Sequence, residues 1–102
     1  MLQEVPQKSQ EENSSAELRK KAGIWLRDRR CKLGLSQREL AGRVNMEYYT
    51  FISQIESGRG RVPSDRLRDW SVALEMDPKE FAITMMKYYD QHSFDMIFGA
   101  YE

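Results

Sequence analysis

Gln54, Thr50, Ser53 and Tyr49 put four hydrogen-bonding side chains into six residues, interleaved with Ile52 and Ile55. At helical spacing the two isoleucines, three apart, share one face and the four polar groups turn away from it. Such a face suits the edges of base pairs. A Gln amide pairs in two-point fashion with adenine N6 and N7, and a Thr methyl meets the thymine methyl. No Arg occurs from Glu47 to Ser57, so the commonest guanine contact is missing from this stretch. Arginines cluster around it instead: Arg38 and Arg43 before it, Arg59 and Arg61 after it. These, with the amide and backbone N–H of Gln37, are groups that hold phosphate. Tyr48 and Phe51 are ambiguous between core and surface, and Tyr48 is also a phosphate candidate.

Other chemistries lack their parts. One His (His92), one Cys (Cys31), no glycine-rich phosphate loop and no metal-ligand cluster argue against an enzyme, a metal site or a cofactor. Glu56 and Asp69 read as structural ion-pair or capping partners. Cys31 excludes an internal disulfide and is most economically a small, partly buried hydrophobe. Flanking Arg30 and Lys32 leave a redox thiol as the minority alternative.

The polar face needs two helices to hold it. Ser36 followed by Glu39 is a capping-box pattern, and Leu40, Ala41 and Val44 face inward. Asn45 tolerates the left-handed backbone that stops a helix. A second helix carrying Ile52 and Ile55 ends at Gly58. Upstream, Ser14 and Glu17 open a helix to about Leu33, with Leu18, Ala22, Trp25, Leu26 and Arg29 on its face and Gly34 as its stop. Downstream, Gly58–Pro63 is a positively charged loop. A fourth helix from Pro63/Ser64 buries Leu67, Trp70, Ala73 and Leu74. Asp77-Pro78-Lys79-Glu80 then starts a fifth, with Phe81, Met85 and Tyr88 or Tyr89 on one face.

Net charge is zero, but unevenly spread. Residues 16–69 hold 13 Lys/Arg against 7 Asp/Glu, a net of +6, while residues 1–15 carry −2 and residues 70–102 carry −4. The positive charge therefore falls on the segment with the base-reading face, as contact with nucleic acid requires. No stretch approaches the ~20 apolar residues of a membrane span. Residues 1–15 have no apolar run and no basic leader, so they do not read as a secretory signal and a cytoplasmic location is expected.

The stretch Ser36–Gly58 resembles the helix-turn-helix of the Cro and phage-repressor (XRE-like) family. The resemblance rests on Leu35-Ser36-Gln37, Glu39-Leu40-Ala41 and Ile52-Ser53-Gln54-Ile55-Glu56-Ser57-Gly58. It implies close helix crossing at Ala41, an approach of Tyr49, Thr50 and Ser53 to base edges, and a loop with Arg59 and Arg61 along the DNA backbone. The chain departs from the pattern by one extra residue between Ala41 and Ile52.

The expected fold is all-α: a compact five-helix Cro/repressor-type helix-turn-helix domain with a C-terminal helical extension. Residues 1–15 are expected as a disordered polar tail, 16–84 as the DNA-binding domain (helix 2 about 36–44, recognition helix about 48–57), and 85–102 as an apolar, aromatic extension. An apolar fraction of 40%, under the usual ~45–50%, suits disordered ends or a core completed by a second chain. Of the extension, Phe94, Ile97 and Phe98 exceed what a small core absorbs and, with Tyr89, are the candidate homodimer seam. The expected function is a small dimeric repressor reading the major groove of an inverted-repeat operator on double-stranded DNA. The alternative is an antitoxin or interaction module of the same fold, bound to a toxin or another protein.

Overall fold

The computed structural model describes residues 14–99; residues 1–13 of the expected 1–15 tail, and Tyr101 of the apolar extension, lie outside the described residues, while Ser14 and Ser15 of that tail belong to the start of the first helix. Its described residues form helices joined by short turns, with no strand among them.

Local rules set most of the boundaries. α1 (Ser15–Lys32) starts where the Ser14 hydroxyl accepts from the Glu17 N–H at 3.1 Å, and ends with Arg29, Arg30 and Lys32 against its negative pole. Gly34, at φ 73°, turns the chain out of it. α2 (Gln37–Arg43) has both halves of the Ser36/Glu39 capping box. Asn45 stops it at φ 57°, and the Met46 N–H returns to the Ala41 carbonyl at 2.9 Å.

α3 (Thr50–Ser57) begins two residues later than the expected start near 48, so Tyr48 and Tyr49 belong to the preceding turn. No side chain caps this start, which is why residue types alone misplaced it. Gly58 ends α3 in the left-handed region at φ 88°. Pro63 leads into a 3-10 turn, Ser64–Arg66, and only then α4 (Leu67–Ala73). α5 (Pro78–Tyr89) opens with Asp77 accepting from the Glu80 N–H at 3.0 Å. It runs unbroken across the expected domain boundary at 84/85. After Asp90, whose carboxylate accepts from the Ser93 N–H at 3.2 Å, α6 (Gln91–Phe98) follows.

The core is one cluster: Leu26 from α1, Leu40 and Ala41 from α2 with Val44 at its end, Ile52 and Ile55 from α3, Val62, Trp70, Ala73, Leu74, Phe81 and Met85. Trp25 lies at its shoulder, its ring centroid 6.0 Å from that of Phe81. α1 is the spine, packing on α3 and α5. It meets α3 at Gly23, where a Cβ would lie 2.1 Å from the Glu56 carbonyl oxygen. Only glycine permits backbones to approach that closely.

Candidate nucleic-acid interface

α3 is fixed in rotation by what it buries. Ile52 is fully buried, Ile55 and Glu56 nearly so. The burial of an acid beside two isoleucines is possible because Arg30 of α1 meets it. Arg30 Nε donates to Glu56 Oε2 at 2.7 Å and Nη2 to Oε1 at 3.0 Å, while Nη1 donates to the Leu35 carbonyl at 2.8 Å. The hydrogen bond to Glu56 raises the Arg30 pKa above its ordinary value, against the opposing effect of burial. The pair cancels its own charge, so the outward side of α3 carries no net acid. The Gln37 amide donates to the same Glu56 Oε1 at 3.1 Å, tying the start of α2 to α3.

With that face inward, Thr50 and Gln54 stand exposed and Ser53 half-exposed on the opposite side. The Thr50 and Gln54 side chains have no hydrogen-bond partner among the described residues, so their polar groups are available to a ligand. Ser53 Oγ donates to the Thr50 carbonyl at 3.1 Å, which leaves its lone pairs as acceptors. Tyr49 is 41% exposed just before the helix, with the Arg38 guanidinium 4.4 Å from its ring centroid. That stacking places a cation beside the N-terminal end of the face. Tyr48 and Phe51, ambiguous in sequence, are both surface residues, in edge contact at 6.1 Å between centroids.

The flanking cations differ in what they do. The Gln54 carbonyl accepts from the N–H groups of Arg59 and Gly60 at 2.9 and 3.0 Å, pinning the loop to the end of α3. The Arg59 side chain is exposed and unpaired among the described residues. Arg61 is also exposed, its guanidinium 4.5 Å from the ring centroid of Tyr89. Arg43 is held elsewhere, donating to the Ala73 carbonyl at 3.0 Å and lying 3.6 Å from Glu75. Tyr89 is drawn inward too: its hydroxyl accepts from the Val62 N–H at 3.2 Å, and burial raises its pKa. Of the expected seam this leaves Ile97 and Phe98 exposed, with Phe94 half-buried against Phe98.

Sequence reasoning missed Arg27. It joins Arg30, Gln37, Ser53, Glu56 and Ser57 around a cleft of about 220 Å³ between α1, α2 and α3. Its place three residues before Arg30, on the same side of α1, was the available signal. Among the described residues no group of three His, Cys, Asp or Glu side chains is placed to hold a metal, and no helix is long and apolar enough to cross a membrane.

A family model described as Helix-turn-helix matches residues 26–81, from Leu26 in α1 to Phe81 in α5. No curated protein matches the chain.

Proposed function

The chain belongs to the Cro/C1-type helix-turn-helix family of DNA-binding transcription regulators, and on that premise we propose a dimeric repressor that reads an inverted-repeat operator through α3. Repression is the family's commoner habit, and a cytoplasmic location follows from the reading. The observation that carries it is the outward side of α3. Its Thr50 and Gln54 are unpaired and exposed, while Ile52, Ile55 and the neutralised Glu56 lock the opposite side into the core.

Tyr49, Thr50, Ser53 and Gln54 are the proposed base readers, with Gln54 on adenine and Thr50 on a thymine methyl. Arg38, Arg59 and Arg61 are the proposed phosphate contacts, with Gln37 and Tyr48 beside them. Arg43, already bound to its own chain, contributes positive charge to the surface more than a direct contact. One such module covers only roughly 600–1,000 Å² on DNA. Two copies on half-sites about one helical turn apart are the usual route to useful affinity. The exposed Ile97 and Phe98, with Phe94, supply apolar surface for that pairing. The alternative role, as an antitoxin or interaction module, would use the same surface for a different protein.

Selection of bound double-stranded DNA from a random pool tests the reading. A palindromic consensus is expected, and no enrichment over the starting pool would overturn it. The Arg59→Ala/Arg61→Ala protein run alongside should bind every sequence more weakly with the same preference.

A further inference from the structure

Among the described residues, α6 leaves an apolar side largely exposed. It follows α5 after Asp90, and among the described residues α5 is the only helix it packs against to any extent. Phe94, Ile97 and Phe98, at positions i, i+3 and i+4, form a ridge along it. Ile97 is 63% and Phe98 48% exposed, and the Phe94 and Phe98 rings lie 5.2 Å apart.

The same molecule carries a matching hollow. Between the 61–67 segment and α5 lies an open apolar cleft of about 170 Å³, walled chiefly by Val62, Leu67, Ala82, Met85, Met86 and Tyr89. An apolar cavity of ~150 Å³ is enough to take up benzene, so this one has room for a phenylalanine ring. Through Leu67 and Ala82 it continues into a shallower trough that passes Arg68, Asp77 and Lys79.

Charge fits as well as shape. From Tyr88 to the end of the sequence there is no Lys or Arg, and α6 carries Asp95 with Asp90 at its start. The cleft and trough are edged by three cations, Arg61, Arg68 and Lys79, against two acids, Asp77 and the Asp90 that precedes α6. An acidic helix with an aromatic ridge and a basic-edged apolar cleft are complementary surfaces. Their occurrence on one chain is the requirement for a self-complementary two-fold contact.

We propose that two copies of this chain exchange α6, the Phe94/Ile97/Phe98 ridge of each lying in the Leu67/Ala82/Met86 cleft of the other. This rests on the dimeric reading above and specifies its contact. Exchange would tie dimerisation to the DNA-facing loop, since Val62 and Arg61 form one wall of the cleft and Arg59 lies two residues before Arg61.

The test uses full-length chains with Cys31→Ser, one bearing Ile97→Cys and the other Ala82→Cys, mixed and mildly oxidised. A disulfide joining the two different chains is expected. In a separate protein, Ala82→Glu should weaken dimerisation by at least roughly tenfold, because it puts a larger, charged side chain into the apolar contact. Its helix content by circular dichroism should be unchanged, which separates the effect from misfolding. Three results would overturn exchange. One is an Ile97→Cys to Ile97→Cys link with an undisturbed Ala82→Glu dimer, which means ridge on ridge. Another is a link within a single chain carrying both cysteines, which means that its own α6 fills the cleft. The third is a monomer by light scattering at tens of micromolar, with and without operator, which also removes the dimeric reading. In every case DNA recognition is judged separately, by the pool selection.

Discussion

Arg30 on α1 and Glu56 on α3 meet in a two-bond ion pair, 2.7 and 3.0 Å, with 10% and 5% of their side chains exposed. It joins the spine of the fold to α3, and the Gln37 amide closes on the same carboxylate.

Removing one partner strands the other in a poorly solvated site. Glu56→Ala should therefore destabilise by about 3–5 kcal/mol, read from the urea midpoint at unchanged slope. Arg30→Met with Glu56→Leu should recover most of that loss, since apolar replacement of a buried pair is often neutral. The double variant should still bind DNA less well, because Gln37 has lost its anchor. Full DNA affinity in the double variant would show that the pair serves stability alone.

Gly23→Ala should carry the opposite sign to the usual substitution in a helix. Elsewhere glycine to alanine gains up to about 1 kcal/mol of helix propensity. Here the new Cβ would lie 2.1 Å from the Glu56 carbonyl oxygen, and backbone cannot step aside cheaply. A net loss of roughly 1–3 kcal/mol is expected, measured by thermal unfolding, with weaker DNA binding as α3 is pushed away from α1. A rise in melting temperature would refute the close crossing.

Readers and positioners should separate in a binding series. Gln54→Ala or Thr50→Ala should cost about 1–3 kcal/mol on the selected operator and relax preference at one base position. Arg59→Ala should weaken all sequences alike and reduce the salt slope by about 1. A changed preference in Arg59→Ala would make that arginine a reader.

Tyr89 makes stability sensitive to alkali. Burial raises its folded pKa, the largest influence on it, above the ordinary phenol value of about 10. Its contribution is therefore complete below the unfolded value and is lost as pH rises through the folded one. Tyr89→Phe should cost about 1 kcal/mol at neutral pH through the Val62 N–H left unpaired. It should then lose less than wild type between pH 10 and 12. Parallel denaturation curves for the two proteins across that range would count against the buried hydroxyl.

Where the sequence was readable, the signal was local. Ser14, Ser36 with Glu39, Asn45, Gly58 and Asp77-Pro78 mark helix ends within three or four residues of themselves, and the structure keeps each of them. The start of α3 was missed because Tyr49 caps it with no side-chain hydrogen bond. The start of α4 slipped because Pro63 admits a 3-10 turn before the α-helix. Arg43 looked like a phosphate ligand, as an arginine on a basic segment does. Nothing near it in sequence announced the Ala73 carbonyl, 30 residues away, that accepts its hydrogen bond.

By itself, then, the chain's sequence determined which segments are helices, which faces are apolar and where positive charge gathers. Those properties follow from backbone preferences and periodicity over a few residues. The tertiary structure alone decided that Glu56 answers Arg30, that Gly23 must stay bare, that Tyr89 turns inward to Val62, and that Ile97 and Phe98 stand exposed on α6 among the described residues. Each depends on how helices cross, which is fixed by packing among residues tens of positions apart. Residue type records that a side chain is able to pair, and only the crossing angles decide with what.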